Sequence, residues 1–268
     1  MKKTLTTLAM ATLLLPVMAL AEMSKEEIAK ASQNPLTAMY SLPIQNNTYF
    51  GIGPDDKTKN VANVQPVLPF DFSEDWTVVT RTVIPVVSNP SLSENPYERT
   101  NGIGDTTFTA FFTPKKTGPS GIVWGVGPTV YMPTATDNDL GTDKWGAGAS
   151  AVVLKASGKW VYGALASNIW DIAGPGDAEI NLMTFQPFVN YNMGEGWFLA
   201  SVPIITADWT ADSQHTWTVP VGMGIGKAMK MGKIPVIVQI HSYYNVEKPD
   251  DYGEDWQMRF QIQWLFPR

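Results

Sequence analysis

The sequence predicts an all-β fold: a transmembrane antiparallel β-barrel of about twelve strands, preceded by one short periplasmic helix. Three observations predict it. Twelve segments, most of them 10–14 residues long, read as strands bounded by turn-forming residues. The connections between them alternate between tight turns and longer polar loops. All ten tryptophans fall near segment ends, five toward each side.

The first residues read as an export signal. Lys2 and Lys3 open it, the run "TLTTLAMATLLLPVMAL" follows, and Ala19-Leu20-Ala21 supplies a small-residue cleavage site. The expected division is a leader at 1–21, a helix at 22–35 and a barrel at 36–268. Removing the leader takes two lysines and no acid from 19 basic and 25 acidic residues, leaving a formal charge of −8. An acidic chain without basic runs is a poor ligand for nucleic acid. Without cysteine it has no disulfide framework, cysteine-based zinc site or thiol nucleophile. After the leader there is no apolar run of about 18 residues, so no membrane helix is predicted.

In "EMSKEEIAKASQNP", Ser24 can cap a helix and Glu27, three residues on, completes a capping box. Asn34-Pro35 ends it. The predicted strands then run at roughly 36–50, 60–72, 75–87, 104–113, 121–133, 144–156, 159–170, 180–193, 196–209, 216–229, 234–246 and 255–267. Such lengths exceed the usual globular strand of about 5–6 residues and match the roughly 9–11 that a tilted strand needs to cross a bilayer.

The tight connections are "SED", "PKKTGPS", "SGK", "GEG" and "GK". The longer ones are "GIGPDDKTKN", "NPSLSENPYERTNGIG", "PTATDNDLGTD", "DIAGPGDAE", "TADSQH" and "EKPDDYGED". Bacterial outer-membrane barrels place short turns on the periplasmic side and long loops outside. Trp76, Trp124, Trp160, Trp197 and Trp264 lie toward the short turns, and Trp145, Trp170, Trp209, Trp217 and Trp256 toward the long loops. An indole has an apolar body and one N–H donor, which suits the boundary between lipid and water.

In lipid the alternation inverts, apolar outward and polar inward. The last strand places Trp256, Met258, Phe260, Ile262, Trp264 and Phe266 outward, with Gln257, Arg259, Gln261 and Gln263 inward. It should pair with residues 36–50 and remove the free edge. The eleventh strand directs Gln239, His241, Tyr243 and Asn245 inward, the third directs Arg81, and the eighth Gln186 and Asn190. The lumen-lining set is therefore Arg81, Gln186, Gln239, His241, Tyr243, Arg259 and Gln261. In the sixth, seventh and ninth strands both faces are largely apolar, so either bulges shift the phase or part of the lumen is apolar.

Catalytic and metal motifs are sparse. His241 and Ser242 are neighbours in a strand and point to opposite faces, so they cannot pair. A serine from another strand could reach His241, as in a barrel-embedded lipid hydrolase. "DNDLGTD", with Asp137, Asp139 and Asp143, is rich in oxygen but misses the calcium-loop pattern because Gly141 falls one position early. No cofactor or metal is predicted.

Several stretches resemble the outer-membrane transporter-like barrels of the phenol-degradation meta-pathway, distantly akin to the long-chain fatty-acid channels. They are "NPLTAMYSLPIQNNTYFGIG", "VANVQPVLPF", "WTVVTRTVIPVVS", "GIGDTTFTAFFTP", "LGTDKWGAGASAVVL", "QPFVNYN", "WTVPVGMGIGK" and "YYNVEKP". The resemblance implies passage of small hydrophobic or aromatic solutes across an outer membrane. The expected partners are outer-membrane lipid, the barrel-assembly machinery and the solute. The alternatives are a lipid hydrolase using His241, a closed structural or adhesion barrel, and, at the level of fold, a soluble exported sandwich.

Overall fold

The computed structural model describes residues 23–91, 98–175, 179–266 and 268. The predicted leader, 1–21, lies outside them. Helix α1 (Lys25–Ser32) comes first. Strands β1 (Tyr40–Ile52), β2 (Lys57–Val64), β3 (Val67–Asp71), β4 (Trp76–Pro90), β5 (Arg99–Ile103), β6 (Thr106–Pro114), β7 (Ile122–Met132) and β8 (Trp145–Ser157) follow. The remainder are β9 (Trp160–Ala173), β10 (Asn181–Gly194), β11 (Trp197–Ser201), β12 (Ile205–Asp208), β13 (Trp217–Met231), β14 (Ile234–Glu247) and β15 (Trp256–Phe266).

These fifteen segments form one closed antiparallel barrel of twelve strands. Three strands are each split in two: β2 with β3, β5 with β6, and β11 with β12. The interruptions fall at Gln65-Pro66, Gly104-Asp105 and Val202-Pro203-Ile204. Proline cannot donate to a ladder, which explains the first and third breaks. The wall closes where β1 meets β15, in register from Tyr40 opposite Phe266 to Phe50 opposite Trp256. This is the pairing expected for the last strand, and it leaves no free edge.

Two connections differ from the expectation. The loop after β1 is only four residues, 53–56, because Gly51, Gly53 and Asp56 take positive φ and let the chain reverse early. The fourth strand begins at Arg99 rather than near 104, since β5 pairs along β4 from Pro90 to Val86.

The apolar face of the barrel points outward. Val221 and Met223 are 58% and 61% exposed, and Trp256, Met258 and Phe260 are exposed likewise. The residues between them, Gln257 and Arg259, are buried, as is Gln263 farther along the same face. A soluble sandwich would show the reverse. One outward-parity residue, Val236, is fully covered. Both groups of tryptophans sit at strand ends, and two pairs of rings meet edge to face, Trp76 with Trp124 at 5.9 Å and Trp209 with Trp217 at 5.2 Å. A greasy belt bounded by two aromatic girdles is the surface of a transmembrane barrel, and among the described residues no helix is long and apolar enough to span a membrane.

Candidate functional site

Inside the barrel the wall is of two kinds. One arc is apolar. Phe198 and Ala200 of β11, Ala228 of β13, Ile237 of β14 and Leu265 of β15 are buried and form a seat for Ile28 and Ala29 of α1. Farther round, Val152 of β8, Leu165 of β9 and Phe111 of β6 pack with Leu36, just after the helix. Leu154, Val161 and Phe188 make a third cluster. The two-sided apolar character of the sixth, seventh and ninth strands therefore comes from an apolar lumen, and the helical segment covers part of it. Gly226 belongs to the seat: a Cβ there would overlap the Phe198 ring.

Helix α1 forms because its N-terminus is capped on both sides. The Glu27 N–H donates to Ser24 Oγ at 3.2 Å, and the Ser24 N–H donates to Glu27 Oε2 at 2.8 Å. The same contact with the Ser24 backbone holds the Glu27 carboxyl below its ordinary pKa. The helix lies at the short-turn end, where Lys25 meets Glu195 of the β10–β11 turn at 3.3 Å. Gln33 and Asn192 exchange two side-chain hydrogen bonds of 3.1 Å.

The second part of the wall, chiefly β1, β2 and the lengths of β14 and β15 farther from the short turns, is polar and closely bonded. Asn47, 1% exposed, is its hub. Its Oδ1 accepts from Gln257 Nε2 at 2.8 Å, Arg259 Nε at 3.1 Å and Gln45 Nε2 at 3.2 Å. Arg259 also donates from Nη1 to the Val202 carbonyl at 2.8 Å and lies over the Tyr243 ring, 4.9 Å from its centre. The Tyr243 hydroxyl accepts from the Val202 N–H at 3.3 Å and reaches His241 Nδ1 at 3.0 Å. The other ring nitrogen of His241 lies 3.1 Å from Gln239 Oε1, an acceptor. Nε2 therefore carries the proton, and Nδ1 accepts from Tyr243. Tyr243 and Arg259 thus reach the backbone that the break at Pro203 frees from its ladder. On the neighbouring strand β4, Arg81 Nη2 donates to Gln65 Oε1 at 2.6 Å.

Between the two arcs and the turn after α1 lies a cavity of about 160 Å³. Six of the seven predicted lumen residues line it: Arg81, Gln186, Gln239, His241, Arg259 and Gln261. Tyr243 does not. It is fully buried behind His241 and orients that ring. The apolar side comes from Leu165, Phe188, Phe198 and Val202. The lining contains two guanidiniums and no carboxylate.

Sequence reasoning missed Asn47, Gln45 and Gln65. The first two share an inward parity, and Asn47 stands directly opposite Arg259 once the β1–β15 register is fixed. It also missed Asp105, which sits buried at the break in the fourth strand. Its carboxylate accepts from Tyr131 Oη, the Ala135 and Thr142 backbone N–H groups and Thr142 Oγ1, at 2.7–3.1 Å, and so ties down the loop after β7. In the same loop Asp137 accepts from the Asp139 N–H and Asp139 from Thr100, so both are used in local bonds. Among the described residues no group of three or more potential ligands is placed to hold a metal ion.

The fold and lumen together define a transmembrane barrel with a filled, two-faced interior. A scan for known protein families and a search of curated proteins each found no match. Among solved structures the chain is similar to an outer-membrane channel from Pseudomonas putida F1, at 18% identity and a TM-score of 0.65, covering 85% of this chain and 94% of that one. It is less similar to outer membrane phospholipase A from Escherichia coli, at 11% identity and 0.46 over 90% and 97% of the two chains. Similarity to a monoaromatic hydrocarbon channel is 10% identity and 0.43, over 90% and 91%. The first of these establishes a shared fold, that of a closed outer-membrane β-barrel.

Proposed function

We propose that the protein is an outer-membrane channel for passive passage of small hydrophobic or aromatic solutes. The observation that carries this is the lumen cavity, apolar on the side of Leu165, Phe188 and Phe198 and polar on the side of Arg259 and the glutamines. A cavity of about 150 Å³ is known to hold a benzene ring, so one of about 160 Å³ suits a single-ring solute. In this reading the outward apolar belt meets outer-membrane lipid, and the barrel-assembly machinery inserts the chain. The short turns and α1 face the periplasm, and Arg81, Gln186, Gln239, His241, Arg259 and Gln261 line the route, with Tyr243 supporting His241. The likeness to a solved outer-membrane channel agrees with it.

The reading is of a channel rather than a hydrolase because of His241. A catalytic histidine needs one ring nitrogen facing a nucleophile, yet its two nitrogens face Gln239 and Tyr243. Ser242, its neighbour, lies on the exposed side of the strand.

Proteoliposomes holding the folded barrel test the reading. Uptake of benzyl alcohol or toluene faster than in protein-free vesicles is expected. Equal rates would refute it. Phospholipid hydrolysis by the wild type that vanishes in His241→Ala would replace it with the hydrolase.

A further inference from the structure

We propose that the lumen cavity is a binding site for an aromatic carboxylate, its ring on the apolar arc and its carboxylate on Arg259 and Arg81. This rests on the channel reading and names the class of solute.

Four observations carry it. The first is an unused donor. Arg259 is 2% exposed, its Nε and Nη1 are bonded to Asn47 and Val202, and Nη2, covered by its neighbours, has no hydrogen-bond partner among the described residues, so a carboxylate meets it once a neighbouring side chain turns aside. A buried donor without an acceptor is costly, and a guanidinium presents its donors in the fork that a carboxylate matches. The second is the sign of the charge. Arg81 lines the same cavity, and no Asp or Glu does. Two cations sharing a site of low dielectric repel one another, and an anion between them relieves that repulsion. The C-terminus of α1 adds a partial negative charge of roughly half a unit, which two full charges outweigh. The third is the apolar wall of Leu165, Phe188 and Phe198, which gives a ring somewhere to lie. The fourth is the volume, about 160 Å³, enough for one ring with a small substituent.

The polar neighbours extend the preference. Gln239 and Gln261 present amides to the cavity, and His241 donates its Nε2 proton to Gln239. Amide N–H groups can share the second carboxylate oxygen, and none of these groups adds a negative charge. A neutral aromatic would leave Arg259 Nη2 unpaired, and a cationic amine would meet two like charges.

Calorimetric titration of the folded barrel in detergent tests this, with benzoate as the anion and benzamide as its neutral counterpart. Benzoate is expected to bind about ten-fold or more tightly than benzamide, the difference made by a charge-assisted hydrogen bond. Arg259→Gln should abolish the preference, Arg259→Lys should keep part of it, and Arg81→Gln should reduce it. Each variant is first checked for the mobility shift of a folded barrel on an unboiled gel. If Arg259→Gln does not fold, the wild-type pair and Arg81→Gln decide. Equal binding of the two ligands, no binding of either, or a preference unchanged in Arg259→Gln overturns the proposal. Vesicle uptake of benzyl alcohol separates the two readings. Uptake without a benzoate preference removes the carboxylate site and leaves the channel. A benzoate preference without uptake removes the channel and leaves the site.

Discussion

Ile28 is fully buried against Phe198, Ala200, Ala228, Ile237 and Leu265, and Ile28→Ala should unseat α1 while leaving the barrel intact. An eight-residue helix is not stable alone in water, so its order in the lumen measures its docking. The substitution removes three carbons, about 2.4 kcal/mol of transfer free energy, before any cavity is counted. The competing tethers are weaker. The Lys25–Glu195 pair is 49% and 85% exposed, which screens it to about 0–1 kcal/mol. The two Gln33–Asn192 hydrogen bonds contribute about 1 kcal/mol each. Hydrogen exchange of the amides of residues 25–33, in the detergent-solubilised barrel, reads the docking equilibrium directly. A shift of 2.4 kcal/mol corresponds to exchange about fifty-fold faster, with the temperature of barrel unfolding on gels unchanged. Lys25→Ala should change the rate by less than about five-fold. Exchange unaffected by Ile28→Ala, or a Lys25→Ala effect as large, would refute the assignment of the seat to apolar packing.

Three further outcomes are expected. Tyr243→Phe removes the hydroxyl between the Val202 N–H and His241, and should lower barrel stability by about 1–2 kcal/mol, read as an earlier gel transition on heating. Asp105→Ala strips an acceptor from four donors, and the loop at 133–144 should become a preferred site of limited proteolysis in the variant alone. His215 joins two loops by bonding Asp212 at 2.7 Å and Asp251 at 3.3 Å while stacking on Tyr252. The bond to Asp212 raises the His215 pKa against its partial desolvation, and Asp251 adds to the rise. A raised value means the tie is at full strength below the ordinary histidine pKa and weakens as pH climbs through the raised one. Asp212 is lowered by His215, so the tie also weakens as pH falls through that lowered pKa. Loops 209–216 and 248–255 should therefore exchange most slowly between roughly pH 4 and 6.5, after correction for intrinsic rates, and Asp251→Asn should flatten the dependence.

The barrel was legible in the sequence because a lipid-facing wall imposes two rules at once: a period of two along each strand and aromatic residues at each end. Trp256 to Phe266 obey both, and the strand lies as its alternation requires. The breaks at Gln65-Pro66, Gly104-Asp105 and Val202-Pro203-Ile204 were less legible, since proline in a strand marks an interruption without saying what satisfies the freed groups. At Val202, Tyr243 and Arg259 do so from two and three strands farther round the wall. Inward parity picked out most of the cavity's polar side. It could not show that Arg259 and Asn47 are partners, because that depends on a register joining residues 212 positions apart. The apolar inner faces of the sixth, seventh and ninth strands were visible as an anomaly, and only packing shows that α1 and Leu36 cover them.

The seat of α1 also sets an order of events in folding. The helix precedes β1, yet every fully buried wall residue of its seat lies at Phe198 or beyond, and the last of them, Leu265, is in the closing strand. Its tether, Lys25 to Glu195, spans 170 positions. Contacts so distant along the chain form slowly, because loop-closure entropy must be overcome first. A segment made before every strand therefore finds its place late, and protection of α1 from exchange reports on assembly of the strands that seat it. A chain lacking β15 would lose Leu265 from that seat and hold the helix less firmly, even with the other strands paired.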